Sequence, residues 1–242
     1  MLILSVGMPR AGSGWYYNLQ HDLITASGGQ DARTVRQRYH LQKVLTEVNC
    51  NIGALTLRRL LVTLIPSRLG NTFVIKAHSA PTPLARTLMR LGWMRTTYIY
   101  RDPRDAMLSA FENGQRALQS GRSNAFSHLV DFDSSLGFMR EYVNIGEKWL
   151  ACPDVLDARY EDLLTNYKPE AQRLVIFLGL KHTDAVDAVL AQYQPAQAQT
   201  TEQQGLHFRK GKVGRFREKF SSEEQQRCMD AFGSFLRMMK YE

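Results

Sequence analysis

The chain opens with Leu2-Ile3-Leu4-Ser5-Val6, an apolar run too short for a helix, and ends it at Gly7 in the turn-rich stretch GMPRAGSG. Beyond Ser13 the pattern becomes helical, with Trp15, Leu19, Leu23 and Ile24 recurring on one face. A strand, a glycine-rich turn and a helix in that order aim backbone N–H groups and a helix N-terminus at one point, which is how chains hold phosphate. Arg10 lies inside the turn, where a cation completes such a cradle, so the stretch reads as an anion-binding loop. Gly7 and Gly12 keep the separation of the Walker A glycines, but Ser13 and Gly14 stand where Lys and Ser/Thr would follow. The lysine for the β/γ-phosphates and the hydroxyl for magnesium are therefore missing, and ATP hydrolysis is not expected. A plain strand-to-helix connection also tolerates Gly and Pro, so the rest of the chain must discriminate.

Further strands and helices alternate. Residues 72–78 form a second strand that delivers Lys76 and His78 to one face, since alternate strand residues point the same way. A third strand at 96–100 runs into Arg101-Asp102-Pro103-Arg104-Asp105, where Pro103 is placed to begin a helix over 105–118 whose first turns carry Ser109. A fourth, 155–159, leads to Tyr160. Helices are expected at 52–65, closed by Pro66 and Gly70, and at 84–91, 129–150, 169–178 with Gly179 as its stop, 183–193 and 222–239. Residues 31–51 are polar and mixed, with a short strand at 32–35. This alternation predicts an α/β protein, a three-layer α/β/α arrangement with a central parallel sheet, and 242 residues at 44% apolar composition suit one domain over 1–242. In such sheets ligands bind beyond the carboxyl ends of the strands, and Arg10, His78, Arg101 and Tyr160 each sit at or just after a strand end.

A formal charge of +8 suits an anionic ligand, but no nucleic-acid-binding motif accompanies the dispersed basic residues, so no nucleic-acid partner is expected. Cys50, Cys152 and Cys228 are odd in number and lack metal-ligand spacing, which argues against a disulfide framework and a zinc site and for idle, buried thiols. No charged-then-apolar leader precedes the first strand, and the longest apolar stretch, 55–65, is interrupted by Arg58 and Arg59. A cytoplasmic protein without a membrane span is the expectation.

Five segments together resemble the sulfotransferases that use 3′-phosphoadenosine 5′-phosphosulfate (PAPS). In order they are GMPRAGSGW, VIKAHSAP, YIYRDPRDAMLSAF, RYEDLLTNYKPEAQRLVIFLGL and RKGKVGRFREKF, which span nearly the whole chain. The resemblance implies a P-loop-like phosphosulfate-binding loop formed by Arg10, Ala11, Gly12, Ser13, Gly14 and Trp15, with Trp15 stacking on adenine and Arg10 bridging nucleotide and acceptor. It also implies His78 as general base, Lys76 as a basic residue beside it, Arg101 and Ser109 as 3′-phosphate ligands, and Tyr160 on the nucleotide side. Arg209, Lys210 and Gly211 are implied as the C-terminal clamp around the 3′-phosphate, and Phe208 just before them is a further candidate cofactor-binding residue. PAPS would be the co-substrate, adenosine 3′,5′-bisphosphate (PAP) the product, a small hydroxylated molecule the acceptor, and no metal would be needed. Three positions depart from the family pattern: Arg10 replaces its usual lysine, Gly14 a hydroxyl residue, and Phe216 a frequent Trp. Arginine stays protonated, so Arg10 supplies charge and parallel hydrogen bonds but not a proton.

The residues by themselves also accommodate a P-loop kinase or a non-catalytic nucleotide- or polyanion-binding protein. The missing Walker residues weigh against the first, and His78 together with the loop cation is more than the second requires. Acceptor recognition is expected from residues 36–57 and 112–138, which show no recognisable pattern, and the oligomeric state stays open.

Overall fold

A computed structural model describes residues 1–195 and 212–242 of the chain. Four parallel strands, β1 (Leu2–Gly7), β2 (Phe73–Ala77), β3 (Met94–Tyr100) and β4 (Val155–Arg159), form a sheet in the order β2-β1-β3-β4. β1 is paired on both sides, Leu2 with Phe73 and with Met94, and Val6 with Ala77 and with Tyr98. After β1 the chain builds β2 on one side, then crosses back to build β3 on the other. That reversal opens a crevice above the carboxyl end of β1.

Helices cover both faces, the expected three-layer α/β/α arrangement. Leu2, Leu4 and Val6 point to one face and Ile3 to the other, so β1 is buried throughout, as a central parallel strand must be. The first face carries α2 (Ala32–Arg38), α3 (Leu57–Arg68), α4 (Pro83–Arg90), α5 (Pro103–Gln119), α6 (Phe132–Leu150) and the C-terminal helix Ser222–Met238. The second carries α1 (Ser13–Ala26), α7 (Tyr160–Thr165), α8 (Tyr167–Leu178) and α9 (Asp184–Gln192). Two polar residues within the sheet are satisfied in place: buried Gln20 donates to Ser5 Oγ at 2.8 Å and accepts from Thr97 Oγ1 at 3.0 Å.

Several boundaries differ from the sequence expectation. The strand expected at 32–35 is the start of α2, because the Asp31 carboxylate accepts from the Arg33 and Thr34 amides and caps a helix whose buried residues are Ala32 and Val35. α3 begins at Leu57, behind a Thr56 cap, rather than at 52, and continues through Pro66 to Arg68. The proline sits in the last turn, where little helix remains to be broken. Helix α6 starts at Phe132 instead of 129, set by a capping box in which Asp131 and Ser134 bond each other's amides. The three cysteines are buried and unbridged.

Gly12 caps α1 with φ 76°, and a methyl added there would lie 2.7 Å from the Tyr160 ring. Gly28 has a similar φ of 86° with nothing within 4 Å of that position. Gly28→Ala is therefore expected to cost about 1–2 kcal/mol, the penalty of a left-handed L-residue. Gly12→Ala should cost at least about 1 kcal/mol more through overpacking against the ring. Urea denaturation of the two variants measures the difference; equal losses would show that Tyr160 yields without cost.

Candidate active site

The loop between β1 and α1 is fastened to the sheet at its start, where the Met8 amide donates to the Ile99 carbonyl at 2.9 Å. Gly7 is required there, since a methyl would meet Ile99 Cγ2 at 2.6 Å and Ser13 Cβ at 2.7 Å. The backbone then turns through left-handed conformations at Arg10 (φ 65°) and Gly12. A non-glycine residue held at positive φ stores backbone strain, and such strain gathers where a loop must present particular atoms. The N-cap residue of α1 is Gly12, which has no side chain to cap the helix, and Gly12, Ser13, Gly14 and Trp15 of its first turn line the crevice.

A cavity of about 400 Å³ occupies that crevice. Arg10, Gly12, Ser13, Gly14, Trp15, Lys76, His78, Arg101, Ser109 and Tyr160 all line it, bringing together positions from the ends of all four strands. Ala11 does not line it; its methyl is packed in the core. Phe208, Arg209, Lys210 and Gly211 lie outside the described residues.

His78 sits just past the end of β2, and its Nδ1 lies 2.6 Å from the Gly7 carbonyl oxygen. A carbonyl only accepts, so Nδ1 carries the proton and the unprotonated nitrogen of the neutral ring is Nε2. Burial and the neighbouring Lys76 charge hold the His78 pKa down at about 4, against the opposing hydrogen bond to Gly7. Lys76 is itself buried, and desolvation together with the Arg10 charge lowers it to about 8. Its backbone is clasped from the side: the Lys76 amide donates to the Cys50 carbonyl and its carbonyl accepts from the Ile52 amide. This added bridge carries Asn49 and Asn51 to the cavity wall.

On the opposite side Arg10 Nε donates to Ser109 Oγ at 3.2 Å, and its guanidinium lies over the Phe126 ring. The buried Arg101 stacks on Tyr160, 4.7 Å from the ring centroid, and Tyr160 in turn packs against Gly12. Among the described residues Arg101 Nε is buried and has no hydrogen-bond partner. Among the described residues six cations, Arg10, Lys76, Arg101, Arg116, Lys212 and Arg215, line the cavity against one carboxylate, Glu112, which pairs with Arg215. Such a field fits a polyanion: a phosphate would fill an orphaned guanidinium donor and relieve Lys76.

Asp105 was not singled out by the motifs, yet it organises this side. Its fully buried carboxylate pairs with Arg101 at 3.4 Å and accepts from the Gly214 amide at 2.6 Å and the Phe216 amide at 3.1 Å. Arg101 also donates to the Lys212 carbonyl at 3.0 Å. The tail that resumes at Lys212 is thus tied to the first turn of α5. Asp102 and Arg104 do different work: Asp102 caps α5 and pairs with Arg104, which reaches the Tyr241 carbonyl and stacks on Phe216. The only signal in the sequence was a carboxylate four residues after Arg101, which ordinary i,i+4 pairing explains equally well. Phe126, Phe138 and Tyr142 form an edge-on and tilted aromatic wall at the remaining side of the cavity.

A family model described as the sulfotransferase domain matches residues 2–240. Sulfotransferase 6B1 of Danio rerio is 25% identical over 240 residues, which are 94% of this chain and 75% of that protein. Mouse sulfotransferase SULT7A1 complexed with PAP superposes with a TM-score of 0.62 at 15% identity, covering 98% of this chain and 84% of that one. Retinol dehydratase in complex with androsterone and inactive cofactor PAP gives a TM-score of 0.60 at 18% identity, covering 97% and 80%. Strand order, loop and cavity thus coincide with a family match over almost the entire sequence, which sets aside the kinase and non-catalytic readings: the chain is an enzyme of the sulfotransferase family.

Proposed function

We propose that this enzyme moves a sulfuryl group from PAPS to a hydroxyl or amine of a small molecule, with His78 as general base, and that residues 1–242 act as one sulfotransferase domain. The observation that carries this reading is the His78–Gly7 hydrogen bond, which fixes the tautomer so that Nε2 is the basic nitrogen beside the cationic loop. The PAP-bound structures of the similar proteins support the nucleotide assignment. In the reaction the acceptor O–H gives its proton to Nε2, the oxygen attacks sulfur, and the bond from sulfur to the bridging phosphate oxygen breaks in line, releasing PAP. Arg10, Lys76 and the amides at the start of α1 stabilise the charge growing on that leaving oxygen. Arg10 does so as a fixed cation, and because these cations already stand at the loop the reaction needs no metal.

On this reading Arg101 and Ser109, together with Arg209 and Lys210, bind the 3′-phosphate, Trp15 and Phe208 flank the adenine, Tyr160 holds Arg101, and Gly211 belongs to the clamp. The acceptor lies against Phe126, Phe138 and Tyr142 with Asn49 beside it, a site suited to a compact molecule with an apolar or aromatic body. A His78 pKa near 4 makes a weak base in the empty enzyme. The negative charge of a bound nucleotide offsets Lys76 and raises His78 toward a useful value, so base strength is coupled to donor binding.

His78→Ala should lower kcat by about 10²-fold or more while PAP affinity stays within a few-fold. The same radiolabel-transfer assay should be unaffected by EDTA. Near-wild-type turnover in the variant, or loss with EDTA restored by magnesium, would contradict the mechanism.

Calorimetry should show PAP binding orders of magnitude tighter than AMP, because each charge-assisted phosphate bond contributes about 1.5–3 kcal/mol. Arg101→Ala removes one such bond. Asp105→Asn keeps the size of the side chain but halves its acceptors, so it should shrink the PAP-over-AMP preference by about tenfold through release of Arg101 and the tail. An unchanged preference in both variants would leave the 3′-phosphate assignment without support.

Lys76 supplies a pH signature. Its pKa is about 8 in the free enzyme and rises when an anion binds, so the complex holds more protons than its parts around that pH. PAP affinity is then highest below pH 8 and falls as the pH rises above it. Titrations in buffers of different ionisation enthalpy should record uptake of about half a proton near pH 8, and Lys76→Met should abolish it. Uptake that persists in the variant would assign the proton to another group.

A further inference from the structure

The net positive charge of the chain is concentrated in one stretch. Residues 32–101 contain twelve Arg or Lys and one acidic residue, Glu47, an imbalance larger than the whole chain's excess of +8. No Asp or Glu occurs between Glu47 and Asp102. Only part of this charge serves the cavity, where Lys76 and Arg101 are buried; Arg58, Arg68, Arg86 and Arg90 are exposed on the surface of α3 and α4.

Helix α3 presents a second anomaly on the same stretch. Its inner face packs Leu60 and Leu64 into the core, but Leu57, Leu61, Ile65 and Leu69 remain 64%, 47%, 53% and 65% exposed. Four large aliphatic residues at i, i+4, i+8 and i+12 form a stripe roughly 18 Å long and about 120° wide at 100° per residue. Arg58 and Arg68 fall within the same arc, by that spacing. At the end of α3 the Arg68 guanidinium lies 4.5 Å from the Trp93 ring centroid, and Trp93 and Leu91 are exposed beside it at 39% and 55%. Single exposed leucines are ordinary, whereas a contiguous aliphatic and tryptophan surface set among arginines marks a binding face.

We propose that the exposed face of α3, with the Leu91–Trp93 turn, docks this protein onto an anionic lipid bilayer, lying in the interface without crossing it. Charge complementarity selects that occupant. A second copy would set arginine against arginine, whereas anionic headgroups neutralise Arg58 and Arg68 while the aliphatic stripe and Trp93 enter the headgroup–acyl boundary. The stripe is convex, on one helix, which suits a deformable planar surface. Among the described residues no helix is long and apolar enough to cross a membrane, so attachment of this kind is peripheral. The inference is independent of the transfer reaction, because it rests on residues outside the cavity.

Co-sedimentation of the full chain with phosphatidylcholine vesicles, with and without phosphatidylserine, tests it. Binding to the phosphatidylserine vesicles should be at least about tenfold tighter than to phosphatidylcholine alone and should weaken with added salt. Leu61→Ser/Ile65→Ser and Arg58→Glu/Arg68→Glu should each reduce it about tenfold or more, with circular dichroism confirming the fold. Lys168→Glu/Lys181→Glu, the same charge change on the opposite face, should leave it unchanged. No pelleting with anionic vesicles, or an equal loss in the Lys168/Lys181 variant, would overturn the proposal. So would a dimer that Leu61→Ser/Ile65→Ser dissolves in a chain that ignores vesicles, which would make the occupant a second copy.

Discussion

Pairing of β1 with β2 on one edge and β3 on the other is the constraint on which the site depends. Parallel register across these three strands places Val6, Ala77 and Tyr98 at one level, so that the residues immediately following them, though separated by some seventy and twenty positions, reach the same rim. The His78–Gly7 hydrogen bond and the Met8–Ile99 bond are direct consequences, one on each side of β1. Because β1 is buried on both faces, a slip of its register would move every side chain along it, and hydrophobic packing therefore locks the geometry of the loop.

Electrostatic cost is distributed with the same economy. Clustered cations in a half-enclosed cavity repel and are poorly hydrated, which is why Lys76 titrates low and His78 stays neutral. Asp105 offsets part of that charge at Arg101, but it spends most of its accepting capacity on the Gly214 and Phe216 amides. The remaining positive excess is what an anionic ligand would offset on the proposed function. Meanwhile the neighbouring Asp102–Arg104 pair, buried and hydrogen-bonded, joins α5 to the C-terminus of the chain. The run Arg101 to Asp105 thus combines a structural fastening with a guanidinium that lines the cavity.

Much of this was legible in the linear chain. Four strands, the loop, and the helix after Arg101 announce themselves because each combines local propensity with a strong punctuation mark: Gly7, Pro83, Pro103, Gly179. Where punctuation was weak, boundaries moved. Val35 suggested a strand until the Asp31 cap decided for a helix, and Leu129 lay on the apolar period of α6 although the Asp131–Ser134 box starts it later.

The sequence by itself determined the kind of chemistry: a loop without Walker cations, a histidine two residues after a lysine, and arginines at strand ends require no tertiary information to be recognised as a phosphate-seeking set. Only the tertiary structure decided how these side chains are arranged. It selected the His78 tautomer by presenting a carbonyl from β1, removed the Ala11 side chain to the core, and recruited Asp105, Asn49 and the Phe126–Phe138–Tyr142 wall from segments without a pattern. It also left the Leu57–Leu69 stripe on the surface of the helix expected over 52–65. The physical reason is common to all of these. Backbone propensity and apolar period are local properties, whereas desolvation, charge compensation and the partner of a hydrogen bond are set by residues far away in the chain.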